Sequence, residues 1–163
     1  MADGYTFNWT PEGEKLKKAL EKLNEDAVGI GYQRGKATHK ARRKGEKDVD
    51  MVDIAAWNEF GTSTGIPARP FLKNSIESYQ DEIKKDMETC VQMVMNGADP
   101  ETALKGLGAT HVGRVQRSIT EGEYEPNKPS TIRKKHGKAT PLIDTGQMRR
   151  SVHYVVKKKG DFE

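Results

Sequence analysis

Apolar residues recur at helical spacing in some stretches of this chain and alternate at strand spacing in others. Leu16, Ala19, Leu20 and Leu23 mark one face of a helix that ends near Asp26. Its start is Thr10-Pro11-Glu12: a hydroxyl cap, a proline at the first helical position and an acid at the positive end of the dipole. From Pro70 onward, Leu72, Ile76, Tyr79, Ile83, Met87, Cys90 or Val91, and Val94 recur at steps of three and four. This predicts one long amphipathic helix that stops at Asn96-Gly97. Asp99-Pro100-Glu101 repeats the earlier start signal. Leu104, Leu107, Val112, Val115 and Ile119 then give the next helix its apolar stripe. Gly106, Gly108 and Gly113 weaken that helix in isolation, so it depends on packing.

The strand signals are shorter. In residues 27–33, Val28, Ile30 and Tyr32 alternate with Gly29, Gly31 and Gln33. In 151–157, Val152, Tyr154 and Val156 share one face. Met51–Phe60 is ambiguous. Val52, Ile54 and Ala56 alternate as in a strand, and Ala55-Ala56-Trp57 suits a helical turn. Taken as a strand, it joins the other two in a small antiparallel or mixed sheet packed by the long helix. The expectation is an α+β fold over 1–163 as a single domain.

Between these elements the periodicity lapses. Residues 34–50 are rich in lysine and arginine and poor in apolar residues, and read as a long, flexible basic loop. Residues 120–140 are polar, with Pro126, Pro129 and Gly137, and leave room for one short helical piece. Residues 157–163 read as a charged, frayed tail. Only 34% of the 163 residues are hydrophobic and 32% are charged, which predicts a modest core and much solvated helix surface. The net charge of +4 permits an acidic or nucleic-acid partner without requiring one. A single cysteine, Cys90, precludes an intrachain disulfide and a zinc ribbon. The first residues lack the charged and apolar regions of a secretory signal, and no apolar run has membrane-spanning length. The expectation is a soluble chain made in a cytoplasm.

Two motifs stand out. One runs through Glu59-Phe60-Gly61-Thr62, a Gly/Ser/Thr loop, and Pro67-Ala68-Arg69-Pro70-Phe71. Gly61 and Gly65 permit a sharp turn, Pro67 and Pro70 stiffen the link, and Phe71 is placed to anchor the following helix in the core. The other is Leu142-Ile143-Asp144-Thr145-Gly146-Gln147-Met148-Arg149-Arg150-Ser151, in which Asp144 and Gln147 have capping-box spacing. In this order they resemble the tail-completion or head–tail joining (virion morphogenesis) proteins of tailed bacteriophages, over residues 27–156.

The resemblance implies a structural, non-enzymatic virion protein of the neck or upper tail, assembled in the host cytoplasm. It implies a ring, sixfold by analogy with tail symmetry, whose neighbours are neck, tail-tube or head-completion proteins. Carried over to this sequence, the assembly motif is Glu59, Phe60, Gly61, Thr62, Pro67, Arg69, Pro70 and Phe71 with Asp144, Thr145, Gly146, Arg149 and Arg150. An Arg69–Glu59 pair, within the corner or across the ring, is one arrangement it allows.

Catalytic chemistry finds little support. His39, His111, His136 and His153 are scattered, without metal-ligand spacing. Asp144-Thr145-Gly146 matches the triplet of aspartic proteases, which need two such carboxylates; here there is one, in a basic, helix-start context. Cys90 lies on an apolar stripe and reads as a small buried hydrophobe. No cofactor or metal is implied. Lys36 and Lys47 belong to the basic loop together with Lys40, Arg42, Arg43 and Lys44. With Arg133, Lys134 and Lys135 these are candidate contacts for genomic DNA or for acidic partner surfaces. The alternative reading is a basic nucleic-acid-binding protein outside any virion.

Overall fold

The computed structural model describes residues 8–41 and 45–162. Helix α1 (Pro11–Glu25) starts as its sequence dictates, with the Thr10 hydroxyl accepting the Gly13 N–H at 3.1 Å. It leads into strand β1 (Asp26–Gly31), which pairs antiparallel with the C-terminal strand β4 (His153–Lys158). Val28 lies opposite Val156 and Ile30 opposite Tyr154, so the apolar side of both strands faces inward.

The stretch expected to be a patternless basic loop contains a second pair of short strands, β2 (Thr38–His39) and β3 (Val49–Asp50). Acidic residues hold this hairpin. Asp48 accepts from Lys40 Nζ and the Ala41 N–H, and Asp53 takes a two-pronged bond from Arg34. Among the described residues the fold is α+β, with helices dominating and two separate two-stranded antiparallel sheets.

Met51–Phe60 is helix α2, not a third strand. Asp50 caps it by accepting the Val52 N–H at 2.9 Å. The covered positions are Met51, Ala55 and Glu59, four residues apart, so the helical face decides over the weak alternation.

The single helix expected from Pro70 to Asn96 is divided at Tyr79 into α3 (Phe71–Ser78) and α4 (Gln80–Met95). Each half serves a different part of the core. Phe71 joins Met51, Ala55, Val115, Ile119, Leu142, Met148 and Val152, while Cys90 and Val94 join Ala103 and Leu104. Ile76 and Met87, on the expected apolar stripe, are 61% and 54% exposed. The interruption at Tyr79, with φ −118° and ψ 23°, replaces that stripe with two shorter ones.

Helix α5 (Pro100–Glu121) runs through the centre and touches both clusters. Asp99 caps it through the N–H and hydroxyl of Thr102, and the same bonds hold its carboxyl below the usual range. Gly108 is where α5 crosses β4: a Cβ there would lie 2.6 Å from the Tyr154 ring. The glycine that weakens the helix locally is what lets the sheet approach. The other face of β1 is covered by the C-terminal end. A 3₁₀ turn, Lys159–Asp161, brings the Phe162 ring to within 2.4 Å of where a Gly29 Cβ would stand. Of the residues expected to fray, Lys157 and Lys158 belong to β4 and the Phe162 ring packs on β1, while 157–162 all remain exposed. The short helices α6 (Pro129–Lys134) and α7 (Gln147–Arg150) complete the chain.

Candidate functional site

The corner between α2 and α3 is built from its own residues upward. Gly61 ends α2 with φ 73°, and a Cβ there would meet the Ala68 nitrogen at 2.9 Å. Only glycine fits both the backbone angle and the space. The loop beyond closes on itself. The Thr62 N–H donates to Ile66 O at 2.9 Å, and the Thr62 hydroxyl accepts the Ile66 N–H at 3.1 Å. The Arg69 N–H then returns to Asn58 O at 2.6 Å. Pro70, with φ −74° and ψ 69°, forms an inverse γ-turn in which the Phe71 N–H donates to Arg69 O. Phe71 is fully buried, as expected, and meets Tyr32 edge-to-face with ring centroids 6.2 Å apart.

Glu59 and Arg69 do not pair. The Glu59 carboxylate accepts the N–H groups of Leu72 at 2.9 Å and Lys73 at 3.1 Å. It thus supplies the N-terminal cap of α3 that Pro70 cannot. Arg69, only 5% exposed, turns the other way. Its Nε donates to Glu125 O at 2.9 Å, and Nη2 donates to Asn127 Oδ1 at 3.2 Å and to Pro126 O at 3.5 Å. The arginine of the first motif therefore fastens the polar segment at residues 125–127. Phe60 does the opposite of Phe71: it is 80% exposed.

The second motif does not form its capping box. Gly146, in the left-handed region at φ 75°, occupies the cap of α7, and the Thr145 hydroxyl accepts the Gln147 N–H at 3.3 Å. The Gln147 side chain instead donates to Thr38 O at 2.8 Å and meets His39 Nδ1 at 3.2 Å. It ties α7 to the β2–β3 hairpin. Arg150 donates to Thr145 O at 3.0 Å, and Arg149 is exposed.

Both motifs open onto one cavity of about 330 Å³. Pro67 and Arg69 line it from the corner, and Asp144, Thr145 and Gly146 from the second element; Glu125, Asn127 and Lys135 complete the wall. Asn127 was invisible to periodicity, its only signal being a polar residue between Pro126 and Pro129. Its amide nitrogen donates to Ala139 O at 3.2 Å and Thr140 O at 3.3 Å. Lys135 corrects the basic cluster. It is 8% exposed, not a surface cation, and its Nζ donates to Thr140 O at 2.6 Å and Pro141 O at 3.1 Å. Burial pulls it below the usual lysine value; Asp144 opposes this, and Arg69 and Lys138 add to it. Burial likewise lowers Arg69. Arg133 and Lys134 are exposed on α6, and Lys40 is paired with Asp48. Arg42, Arg43 and Lys44 lie outside the described residues.

No family model, curated protein or solved structure matches this chain. Among the described residues, no helix is long and apolar enough to cross a membrane.

Proposed function

We propose that this chain is a structural protein of a tailed-phage neck or upper tail. In this reading it forms a closed ring that completes the tail or joins it to the head, and it carries no enzymatic activity. The observation that carries the reading is Phe60. A large aromatic stands 80% exposed on a corner locked immediately behind it by buried Glu59 and immediately after it by Gly61. An apolar anchor on a rigid frame is what a partner surface requires, because little conformational freedom is lost when it docks. Trp57, one turn earlier on α2, is 42% exposed. The two-stranded β1–β4 sheet also leaves an edge of each strand unpaired, which a neighbouring subunit could cover.

A ring requires a heterologous interface that closes. The other partners in this reading are neck, tail-tube or head-completion proteins, in the virion, after assembly in the host cytoplasm. The test is mass by light scattering, together with cryo-EM of the virion neck. A ring of copies at the head–tail junction supports the reading. Absence of the chain from purified virions sinks it.

The exposed Arg133 and Lys134 favour a second reading, nucleic-acid binding outside a virion. It predicts DNA affinity that falls steeply with salt.

A further inference from the structure

The two buried cations and their shared cavity carry an inference that does not depend on the assembly reading. We infer that the cavity between the two motifs is a binding site for an aliphatic monocarboxylate, with Arg69 and Lys135 holding the carboxylate group. The carboxylate belongs to a small free acid or to an Asp or Glu side chain presented by another chain.

Arg69 and Lys135 are both more than nine-tenths buried. Taking a charge out of water costs several kcal/mol unless a counter-charge meets it in good geometry. Among the described residues neither cation forms an ion pair. Every hydrogen bond they make goes to a backbone carbonyl or to the Asn127 amide. Glu125 acts electrostatically on Arg69 and Asp144 on Lys135. The positive charge is therefore built in and incompletely met.

The donors are also held in place. Arg69 Nη2 bonds Asn127 Oδ1, Asn127 Nδ2 bonds Thr140 O, and Lys135 Nζ bonds the same Thr140 O. One amide and one carbonyl thus tie the two cations together. Capacity remains: the bonds of Arg69 leave from Nε and Nη2, so Nη1 is uncommitted among the described residues. Lys135, with two carbonyl partners, keeps a third N–H.

The lining fixes the ligand class. Ile54, Ile66, Leu142 and Met148 supply apolar wall, and about 330 Å³ sits at the small end of ligand-site volumes. Glu125 on the same lining disfavours a doubly charged phosphate. One negative charge on a short apolar body suits both features.

The test is an NMR titration of the Arg69 side-chain N–H resonances in the full chain with sodium butyrate and with N-acetyl-glutamate methylamide. Sodium chloride and inorganic phosphate at equal ionic strength are the controls. The expected result is a saturable shift with one or both carboxylates that the controls do not reproduce. Lys135→Met should weaken it at least about tenfold, and Arg133→Met on the exposed face of α6 should leave it unchanged. Tighter binding of butyrate identifies a free acid as the source; tighter binding of the blocked glutamate identifies a presented side chain. No saturable shift with either compound overturns the inference. So does a shift that chloride or phosphate matches, an adventitious ionic effect only, and so does a shift that Lys135→Met leaves intact. If Lys135→Met does not fold, the wild-type comparison of carboxylates with chloride decides alone.

Discussion

Glu59 caps a helix to which it does not belong: its Oε2 accepts the N–H of Leu72, 13 residues downstream, at 2.9 Å. Oε1 takes the next N–H, that of Lys73, at 3.1 Å. One carboxylate near the end of α2 thus satisfies two orphan donors at the start of α3 and sets the angle of the corner. Glu59→Gln keeps the shape and removes the charge, and is expected to cost about 1 kcal/mol. Glu59→Ala removes both charge-assisted bonds and is expected to cost about 2–3 kcal/mol. Urea unfolding with unchanged m-values would measure both. Equal stability of the alanine variant and wild type would disprove the capping role.

Glycines of this chain divide by what surrounds them. Gly61→Ala forces a left-handed residue to carry a Cβ 2.9 Å from the Ala68 nitrogen, and should destabilise by about 2 kcal/mol or more. Gly106, inside α5, has nothing within 4 Å of its Cβ position. Gly106→Ala should stabilise by about 0.5–1 kcal/mol through helix propensity alone. Thermal melts of the two variants should move in opposite directions.

His111 makes stability depend on pH. Its imidazole is buried beside Arg114, with Asp86 4.0 Å away, and burial, then Arg114, lower it from the ordinary 6.5 despite the opposing pull of Asp86. The unfolded chain therefore binds this proton more readily than the folded one. The resulting stability is complete above 6.5 and declines as pH falls from there toward the folded value. His111→Gln should reduce the loss of melting temperature between about pH 7 and pH 5. An unchanged pH profile would refute the assignment.

Phe60 separates assembly from folding. At 80% exposure its replacement removes almost no folded-state contact, so Phe60→Ser should shift stability within about 0.5 kcal/mol. In the ring reading the same change should cost at least about 2 kcal/mol of association, seen as loss of the large species in light scattering. A variant that assembles like wild type would show that Phe60 is not an anchor.

Much of the local structure was legible. Thr10-Pro11 and Asp99-Pro100 mark their helix starts correctly, because a cap is an interaction across three residues. The alternation in 27–33 and 151–157 gives the strands that pair as β1 and β4, each within a few residues of its observed bounds. Of the candidate site, the turn at Gly61 and the burial of Phe71 could be read, since backbone sterics and size require them. The cavity could not. Lys135 looks like Lys134 and Arg133 in sequence, and only the approach of residues 140–141 takes it out of water.

By itself, then, the sequence determined where helices begin, which strands have an apolar side and where the chain must turn. Each is decided by forces acting over a few residues. Tertiary structure decided what required distant partners. Met51–Phe60 became a helix because the core covers every fourth residue. The long apolar stripe broke at Tyr79, with no proline or glycine to announce it, because two clusters needed covering. Gln147 left its own helix for Thr38, 109 residues away, and Arg69 turned from Glu59 to Asn127, 58 residues away. A polar side chain takes whichever partner the completed packing puts within reach.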